Sequence, residues 1–182
     1  MEYRPNKLRH RGISLIELLV SLSIFSIGLS LATSGFAALQ STARLISTAN
    51  YLVHLVHQAR HTALTRGVDI ALCPSQTGLQ CTGSADWSAG WIMFANTDQD
   101  TPVRVDAGET VLVFGQRIEG LSIAANREAF VFRPYGRRAT AGTLVICDAR
   151  RRGTAVIISY TGKPRTAERL PSGGALQCGR QT

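Results

Sequence analysis

The chain has 182 residues, of which 45% are hydrophobic and 18% are charged, and its formal net charge is +8 at pH 7. About 115 residues follow the long N-terminal helix predicted below, which is the length of one domain with one core, so we expect one globular domain rather than two. The sequence also contains no internal repeat and no low-complexity segment.

The first feature in chain order is an uncharged run that follows a basic segment. No Asp, Glu, Lys or Arg occurs between Glu17 and Arg44. A helix over residues 18–43 would be about 39 Å long at ~1.5 Å per residue, enough for the ~30 Å hydrocarbon core of a bilayer. The sequence therefore predicts a membrane-spanning helix with its basic leader in the cytoplasm and its far end outside. The basic residues of the leader are Arg4, Lys7, Arg9, His10 and Arg11.

Glu17 distinguishes this segment from an ordinary secretory signal peptide. A carboxylate at the head of an apolar span costs roughly 2.5–3.5 kcal/mol by insertion scales, and such residues usually have a partner. Ser30-Leu31-Ala32 offers a small-x-small signal-peptidase site, but a signal peptide has no use for the acid. The stretch Gly-Ile-Ser-Leu-Ile-Glu at 12–17 resembles a type IV prepilin leader, although Ile13 replaces the usual Phe. The resemblance implies that prepilin peptidase cleaves after Gly12 and methylates Ile13, and that Glu17 meets the amino terminus of a neighbouring pilin.

The pattern of apolar residues then predicts one continuing helix followed by strands. Helical periodicity runs to a stop at Gly67, and its second half is amphipathic. We expect an α+β, pilin-like lollipop in which this long N-terminal helix packs on an antiparallel β-sheet head. The predicted divisions are a cleaved leader at 1–12, a transmembrane and assembly half at 13–40 and a periplasmic head at 41–182. Short runs typical of β-strands occur at 68–73, 90–94, 110–114, 121–124, 129–132, 143–147 and 155–160.

Four cysteines lie in the head, at Cys73, Cys81, Cys147 and Cys178. An even number in an oxidising compartment favours two disulfides, for which three connectivities are possible. We favour Cys73–Cys81, which closes a short loop, and Cys147–Cys178, which ties the tail to a strand. The alternative is a zinc site of four thiolates, but no Cys-x-x-Cys pair occurs.

Motifs in the middle and at the end of the chain carry a more specific resemblance. Residues 58–67 are followed by Cys-Pro-Ser at 73–75, by Cys81 and by Trp-Ser-Ala-Gly-Trp at 87–91. This order resembles FimT-type minor pilins and the GspH-type pseudopilins of type II secretion. Gly-Lys-Pro-Arg at 162–165 resembles the Gly-Arg-x-Arg motif of FimT proteins, which in that family is associated with DNA binding during natural transformation. Lys163 replaces the first arginine, which keeps the charge and loses the planar fork.

The C-terminal region is strongly basic. Between residues 127 and 180, eleven Lys or Arg residues face three acids. A protein that neutralises several DNA phosphates gains affinity by counterion release without reading sequence. The alternative is a solvated basic surface, which is the favoured interpretation for residues 150–152 taken alone. The predicted DNA-binding residues are Gly162, Lys163 and Arg165 in a bend, helped by Arg137, Arg138, Arg150, Arg151 and Arg152 in other turns.

Three further groups of polar or aromatic residues are assigned structural roles. His54, His57 and His61 share a helix face, yet no carboxylate or fourth ligand stands at matching spacing, so no metal site is predicted. Asn96-x-Asp98-x-Asp100 is similar to the start of a calcium loop but lacks its Gly and closing Glu, so a polar hairpin turn is expected. Trp87 and Trp91 are expected in the core, and Tyr135 and Tyr160 could stack on bases, although packing is the commoner role.

The functional expectation combines the leader, the motifs and the basic region. No Gly-x-Ser-x-Gly elbow, His-Glu-x-x-His motif or phosphate loop occurs, so we expect neither an enzyme nor a cofactor. The resemblance implies a minor type IV pilin that binds extracellular double-stranded DNA non-specifically, for uptake in natural transformation. Its partners would be major and minor pilins, prepilin peptidase and the inner membrane, before the subunit joins a pilus at the cell surface. The alternative is a structural minor pilin or type II secretion pseudopilin that initiates or caps the fibre without binding DNA.

Overall fold

The computed structural model describes residues 13–179, without the side chains of residues 30–35 and 37. The predicted leader, with its cleavage residue Gly12, lies outside the described residues. The chain divides into two compact units, Met1–Gln40 and Ser41–Thr182. In the described part of the first unit the chain is helical from residue 15, and its large apolar side chains, such as Leu15, Phe25 and Leu39, are exposed.

The single long helix predicted from the sequence is present as α1, Leu15–Arg66. It ends where Gly67 adopts a φ of 69° and donates its N–H to the carbonyl of Ala63 at 3.0 Å, which is a glycine C-cap. A membrane-spanning helix was predicted over residues 13–40. Between residues 13 and 179, however, the structure contains no helix that is both long enough and apolar enough to cross a membrane.

Eight strands form two four-stranded antiparallel sheets in the second unit. The first sheet has the order β3-β2-β1-β5 and the second β4-β6-β7-β8. The prediction of an α+β fold with antiparallel pairing is confirmed, whereas the division into two sheets and the last strand were not predicted. The strands are β1 Asp69–Pro74, β2 Gly90–Asn96, β3 Val111–Gln116, β4 Leu121–Ala125, β5 Phe130–Phe132, β6 Gly142–Asp148, β7 Gly153–Ile158 and β8 Pro164–Ala167.

The core lies where the second half of α1 packs on the two sheets. Val56, Ala59 and Ala63 are fully buried, and with Leu52 and Leu55 they form the apolar stripe of the helix. The stripe recurs every three or four residues because an α-helix has about 3.6 residues per turn. It contacts strand residues that include Ile70, Leu72, Trp91, Phe132, Leu144 and Ile158. The prediction that Trp87 and Trp91 anchor the core is confirmed, since both are buried.

Both predicted disulfides are present. Cys73 in β1 is bonded to Cys81, and Cys147 in β6 is bonded to Cys178. The second bond attaches the C-terminal segment to the second sheet. Within that segment, Arg169 and Ala175 form an isolated bridge with each other. No cysteine among the described residues is free.

Candidate nucleic-acid interface

The turn between β7 and β8 carries the first part of the predicted site. Ser159 donates its N–H to the carbonyl of Lys163 at 3.1 Å, and Gly162 donates its N–H to the carbonyl of Ser159 at 2.8 Å. The N–H of Lys163 donates to Ser159 Oγ at 3.2 Å. The amides of Gly162 and Lys163 are therefore used within the turn, whereas the side chain of Lys163 projects into solvent.

Position 162 requires glycine for two reasons, its backbone conformation and the close packing around it. Its φ is 73°, in the left-handed region that favours glycine, and the residue is buried. A Cβ added there would lie 3.2 Å from Arg60 Cδ and 3.4 Å from Ala139 Cβ. The residue thus lets the turn approach α1 closely.

A groove lies beside this turn. It has a volume of about 570 Å³ and is bounded by the end of α1, by β5, by the loop after β5 and by the β7–β8 turn. The N–H of Ala139 donates to the carbonyl of Tyr160 at 2.9 Å and so holds the loop against the turn. The charged and aromatic residues that line the groove are Arg60, Arg133, Arg137, Arg138, Phe132 and Tyr160.

Two of these arginines are held by a buried acid. Asp69, at the start of β1, lies 3.4 Å from Arg133 Nε and 3.2 Å from a terminal nitrogen of Arg137. Arg137 also donates to Gln99 Oε1 at 3.4 Å. The carboxylate of Asp69 neutralises part of the positive charge of Arg133 and Arg137. Because the Asp69 side chain is only 2% exposed, the ion pairs also hold the loop after β5 in position.

Arg60 and Arg138 are the uncompensated cations of the groove. Within residues 13–179 neither forms an ion pair. Arg138 is exposed, and its guanidinium carbon lies 5.9 Å from the centroid of the Tyr160 ring. Arg60 was not predicted as a site residue. Its position on the flank of the apolar stripe, next to buried Ala59, is the sequence signal that could have indicated it.

Arg165 does not lie in the predicted bend. It lies in β8, paired with Ile157 of β7, so the prediction of a turn at this position is wrong. Its side chain is exposed and borders a separate, shallow depression of about 650 Å³ together with Glu168 and Arg169. The structure thus brings Lys163 next to the groove and places Arg165 on the edge strand beside it.

Arg150, Arg151 and Arg152 lie at the other end of β7, in the turn that joins it to β6. The six residues of β7 span roughly 17 Å at about 3.3 Å per residue, so this turn and the groove lie at opposite ends of β7. Within the described residues Arg150 and Arg151 form no ion pair. The structure therefore separates these three arginines from Arg137, Arg138 and Lys163.

Asp148 organises that turn. Its Oδ1 accepts the N–H groups of Arg150 and Arg152 at 3.0 and 2.8 Å, and its Oδ2 accepts two side-chain nitrogens of Arg152 at 2.9 and 2.7 Å. Ser41 donates to the same Oδ2 at 2.7 Å. Burial of the carboxyl group opposes ionisation, but the hydrogen bonds from Ser41 and Arg152 and the charge of Arg152 outweigh it and lower the pKa of Asp148 from 3.8 to about 2. Arg152 is accordingly held as a structural residue.

An acidic cluster lies far from these arginines in sequence. Asp98, Asp100 and Asp106 place carboxylate oxygens within 4.8 Å of one another. Desolvation and the charge of Asp98 raise the pKa of Asp106. Asn96 donates to Asp100 at 3.0 Å and accepts from the N–H of Gln99 at 2.7 Å, so the acids stabilise a polar loop, as the sequence predicted for this segment.

The assembly residues lie at the beginning of α1. Ile13 is exposed just before the helix, and Glu17 is exposed in its first turn. A carboxylate in that position also interacts favourably with the positive end of the helix dipole.

Family models match most of the chain. Residues 48–162 match the model of the type II transport protein GspH, and residues 7–33 match the prokaryotic N-terminal methylation motif. No curated protein matches the sequence.

Two solved structures are similar to this chain. A crystal structure of the type IV minor pilin FimU from Pseudomonas aeruginosa PAO1, in space group P65, has 20% identity and a TM-score of 0.50, and the match covers 73% of this chain and 98% of that one. The same protein in space group P21 has 20% identity and a TM-score of 0.49, with coverage of 75% and 95%. At this identity, the first match indicates a common fold.

Proposed function

We propose that this chain, which belongs to the family of the type II transport protein GspH, is a fibre subunit that binds extracellular double-stranded DNA. The GspH match and the N-terminal methylation motif make it a minor pilin or pseudopilin, a structural class of protein rather than a catalytic one. Membership implies contacts with other pilins and processing by prepilin peptidase, and the N-terminal motif suggests membrane anchoring and assembly.

The groove beside the β7–β8 turn is the observation that carries the proposal. It combines Arg60 and Arg138, which form no ion pair with any described residue, with the exposed ring of Tyr160, and Lys163 follows at its rim. Guanidinium groups bind phosphate oxygens through paired N–H donors, and their charges release counterions from DNA. Such contacts are independent of base sequence, which suits a protein that takes up DNA for natural transformation.

The other cations contribute unequally. Arg165 extends the basic surface along the edge strand β8, close in sequence to Lys163. Arg137 is turned toward Asp69 and Arg152 toward Asp148, so both offer less charge to a phosphate. Arg150 and Arg151 remain exposed at the opposite end of β7 and would add only contacts to a more distant part of a duplex.

The second candidate function is a purely structural subunit that initiates or caps the fibre of a pilus or a type II secretion system. The ion pairs of Arg133, Arg137 and Arg152 favour it, because they assign part of the basic region to folding. The two functions differ in what the exposed cations do. Only the DNA-binding function requires Arg60, Arg138, Lys163 and Arg165 to contact a ligand.

A gel-shift titration with unrelated duplexes separates the two. The full chain in detergent should bind all duplexes alike, and log affinity should fall with log salt at a slope near −0.9 per neutralised phosphate. Changing Lys163→Gln together with Arg165→Gln should weaken binding uniformly and flatten the slope by about two phosphates' worth. Cells with this variant should assemble fibres and lose transformation.

The matched control is Arg117→Gln, which removes an exposed arginine. Arg117 directly follows β3 of the first sheet, whereas Lys163 and Arg165 belong to the turn and strand at the end of the second sheet. This control should leave both affinity and slope unchanged. If the Lys163 and Arg165 variant binds and transforms like the parent, these two residues do not contact DNA. If Arg138→Ala, which changes the groove itself, also binds like the parent, the basic region is a solvated surface and the structural function replaces the proposal.

A further inference from the structure

The solvent face of α1 carries three histidines that take no part in the groove. His54, His57 and His61 are all exposed, whereas Val56 and Ala59 on the opposite face are fully buried. At about 100° per residue, His57 and His61 lie about 40° apart on the helix and His61 about 160° from buried Ala59. The two imidazoles therefore project from one side, one turn apart, into solvent.

The three imidazole rings have no polar partner within residues 13–179. Across the part of the chain that the structure describes, none of the three makes a hydrogen bond or an ion pair through its ring. The helix is continuous through them, from Leu15 to Arg66, so their spacing is set by regular backbone geometry. Within residues 13–179, a ligand would therefore displace no hydrogen bond or ion pair of these rings.

We propose that His57 and His61 form a binding site for a divalent transition metal, with Cu²⁺ as the ion that binds most tightly. Residues four apart on a helix have their Cβ atoms about 5–6 Å apart. Two imidazole nitrogens can then reach one ion at about 2.0–2.1 Å, as two histidines at this spacing do in helical zinc sites. Imidazole suits Cu²⁺, Ni²⁺ and Zn²⁺, and among these the order of stability places Cu²⁺ first.

We assign the ion to the pair His57 and His61 because their four-residue spacing is that of the two histidines in helical zinc sites, whereas His54 lies three residues before His57 and seven before His61. No set of three residues that includes a histidine brings its ligand atoms together among the described residues. Water completes the coordination of an ion held by two imidazoles on an open helix face. The carboxylates of Asp98, Asp100 and Asp106 are harder ligands, which suit Mg²⁺ or Ca²⁺ rather than Cu²⁺.

Calorimetric titration of the full, untagged chain in detergent with CuSO₄ tests the site. One Cu²⁺ per chain is expected at this site, and either His57→Ala or His61→Ala should weaken its binding about tenfold or more, because a single imidazole loses the chelate. The matched control, His54→Ala, should leave the affinity within about threefold of the parent by the same reasoning. Helical circular dichroism of every variant should match the parent, since Ala is the best helix former.

A spacing variant makes the test specific. Changing Thr65→His in the His57→Ala background creates a new pair with His61 at the same spacing, on exposed positions, and should restore Cu²⁺ binding. Electron paramagnetic resonance should show two nitrogen ligands in the parent and in the restored variant, and one in His57→Ala. Unchanged Cu²⁺ affinity in the His57→Ala and His61→Ala variants would overturn the proposal.

Discussion

Arg138 lies with its guanidinium carbon 5.9 Å from the centroid of the Tyr160 ring, so a loop after β5 and the β7–β8 turn meet in a cation–π contact. Arg137, the adjacent residue, is turned instead toward the buried carboxylate of Asp69. Two neighbouring arginines of the same loop therefore have different environments. One is available to a ligand, and the other holds the loop in place.

The first prediction separates these two arginines. Arg137→Ala should lower the free energy of unfolding by about 1–3 kcal/mol, because it removes a hydrogen bond from a buried carboxylate that Arg133 only partly compensates. Arg138→Ala should leave stability nearly unchanged and weaken DNA binding. Denaturant unfolding and gel shifts of both variants measure the contrast. Equal loss of stability in the two variants would contradict the assignment.

The second prediction concerns the close approach of the β7–β8 turn to α1. Gly162→Ala places a Cβ 3.2 Å from Arg60 Cδ at a φ of 73°, whereas Gly136→Ala has almost the same φ, 74°, and meets nothing within 4 Å. Gly136→Ala should therefore cost only the left-handed strain, about 1–2 kcal/mol. Gly162→Ala should cost more and should also weaken DNA binding. If the two variants unfold at the same denaturant concentration, close approach is not what requires Gly162.

The third prediction is the acid sensitivity of the β6–β7 turn. The pKa of Asp148 is lowered from 3.8 to about 2 in the folded chain, so its contribution to stability is fully present above pH 4 and is lost as the pH falls toward 2. Asp148→Asn should be less stable than the parent at pH 5, and the difference should shrink by pH 2. Urea unfolding between pH 2 and 5 measures it. Asp106→Asn is the control, because the pKa of Asp106 is shifted in the opposite direction.

The fourth prediction concerns processing and assembly. Replacing Gly12 by a bulky residue should leave the uncleaved precursor, visible as a slower band, because the leader resemblance places the cleavage after this glycine. Glu17→Ala should be cleaved normally and be incorporated poorly into fibres, since no carboxylate would meet the neighbouring amino terminus. Normal cleavage of the Gly12 variant would exclude the prepilin interpretation of the leader.

Several parts of the fold could be read from local pattern. The end of α1 at Gly67, the buried positions of Trp87 and Trp91 and the pairing of the four cysteines all agree with the sequence. Strand β8 was missed because Gly-Lys-Pro is typical of a turn and Pro164 donates no hydrogen bond. Pro164 stands at the first position of an edge strand, where a missing donor is tolerated.

The sequence by itself determined the helix, the strand-forming runs and a basic C-terminal region, because each depends on residues close together in the chain or on residue type alone. It left three connectivities open for the four cysteines, and the fold decided between them, since Cys147 and Cys178 are 31 residues apart. Only the tertiary structure decided which arginines remain available. Asp69 is 68 residues from Arg137, and Ser41 is 107 residues from the Asp148 that holds Arg152. Asp69, which neutralises Arg137, and Arg60, which joins the groove, come from distant elements, and no local pattern contains that distance. Asp148 lies only four residues from Arg152, but the Ser41 hydroxyl that also binds its carboxylate comes from α1.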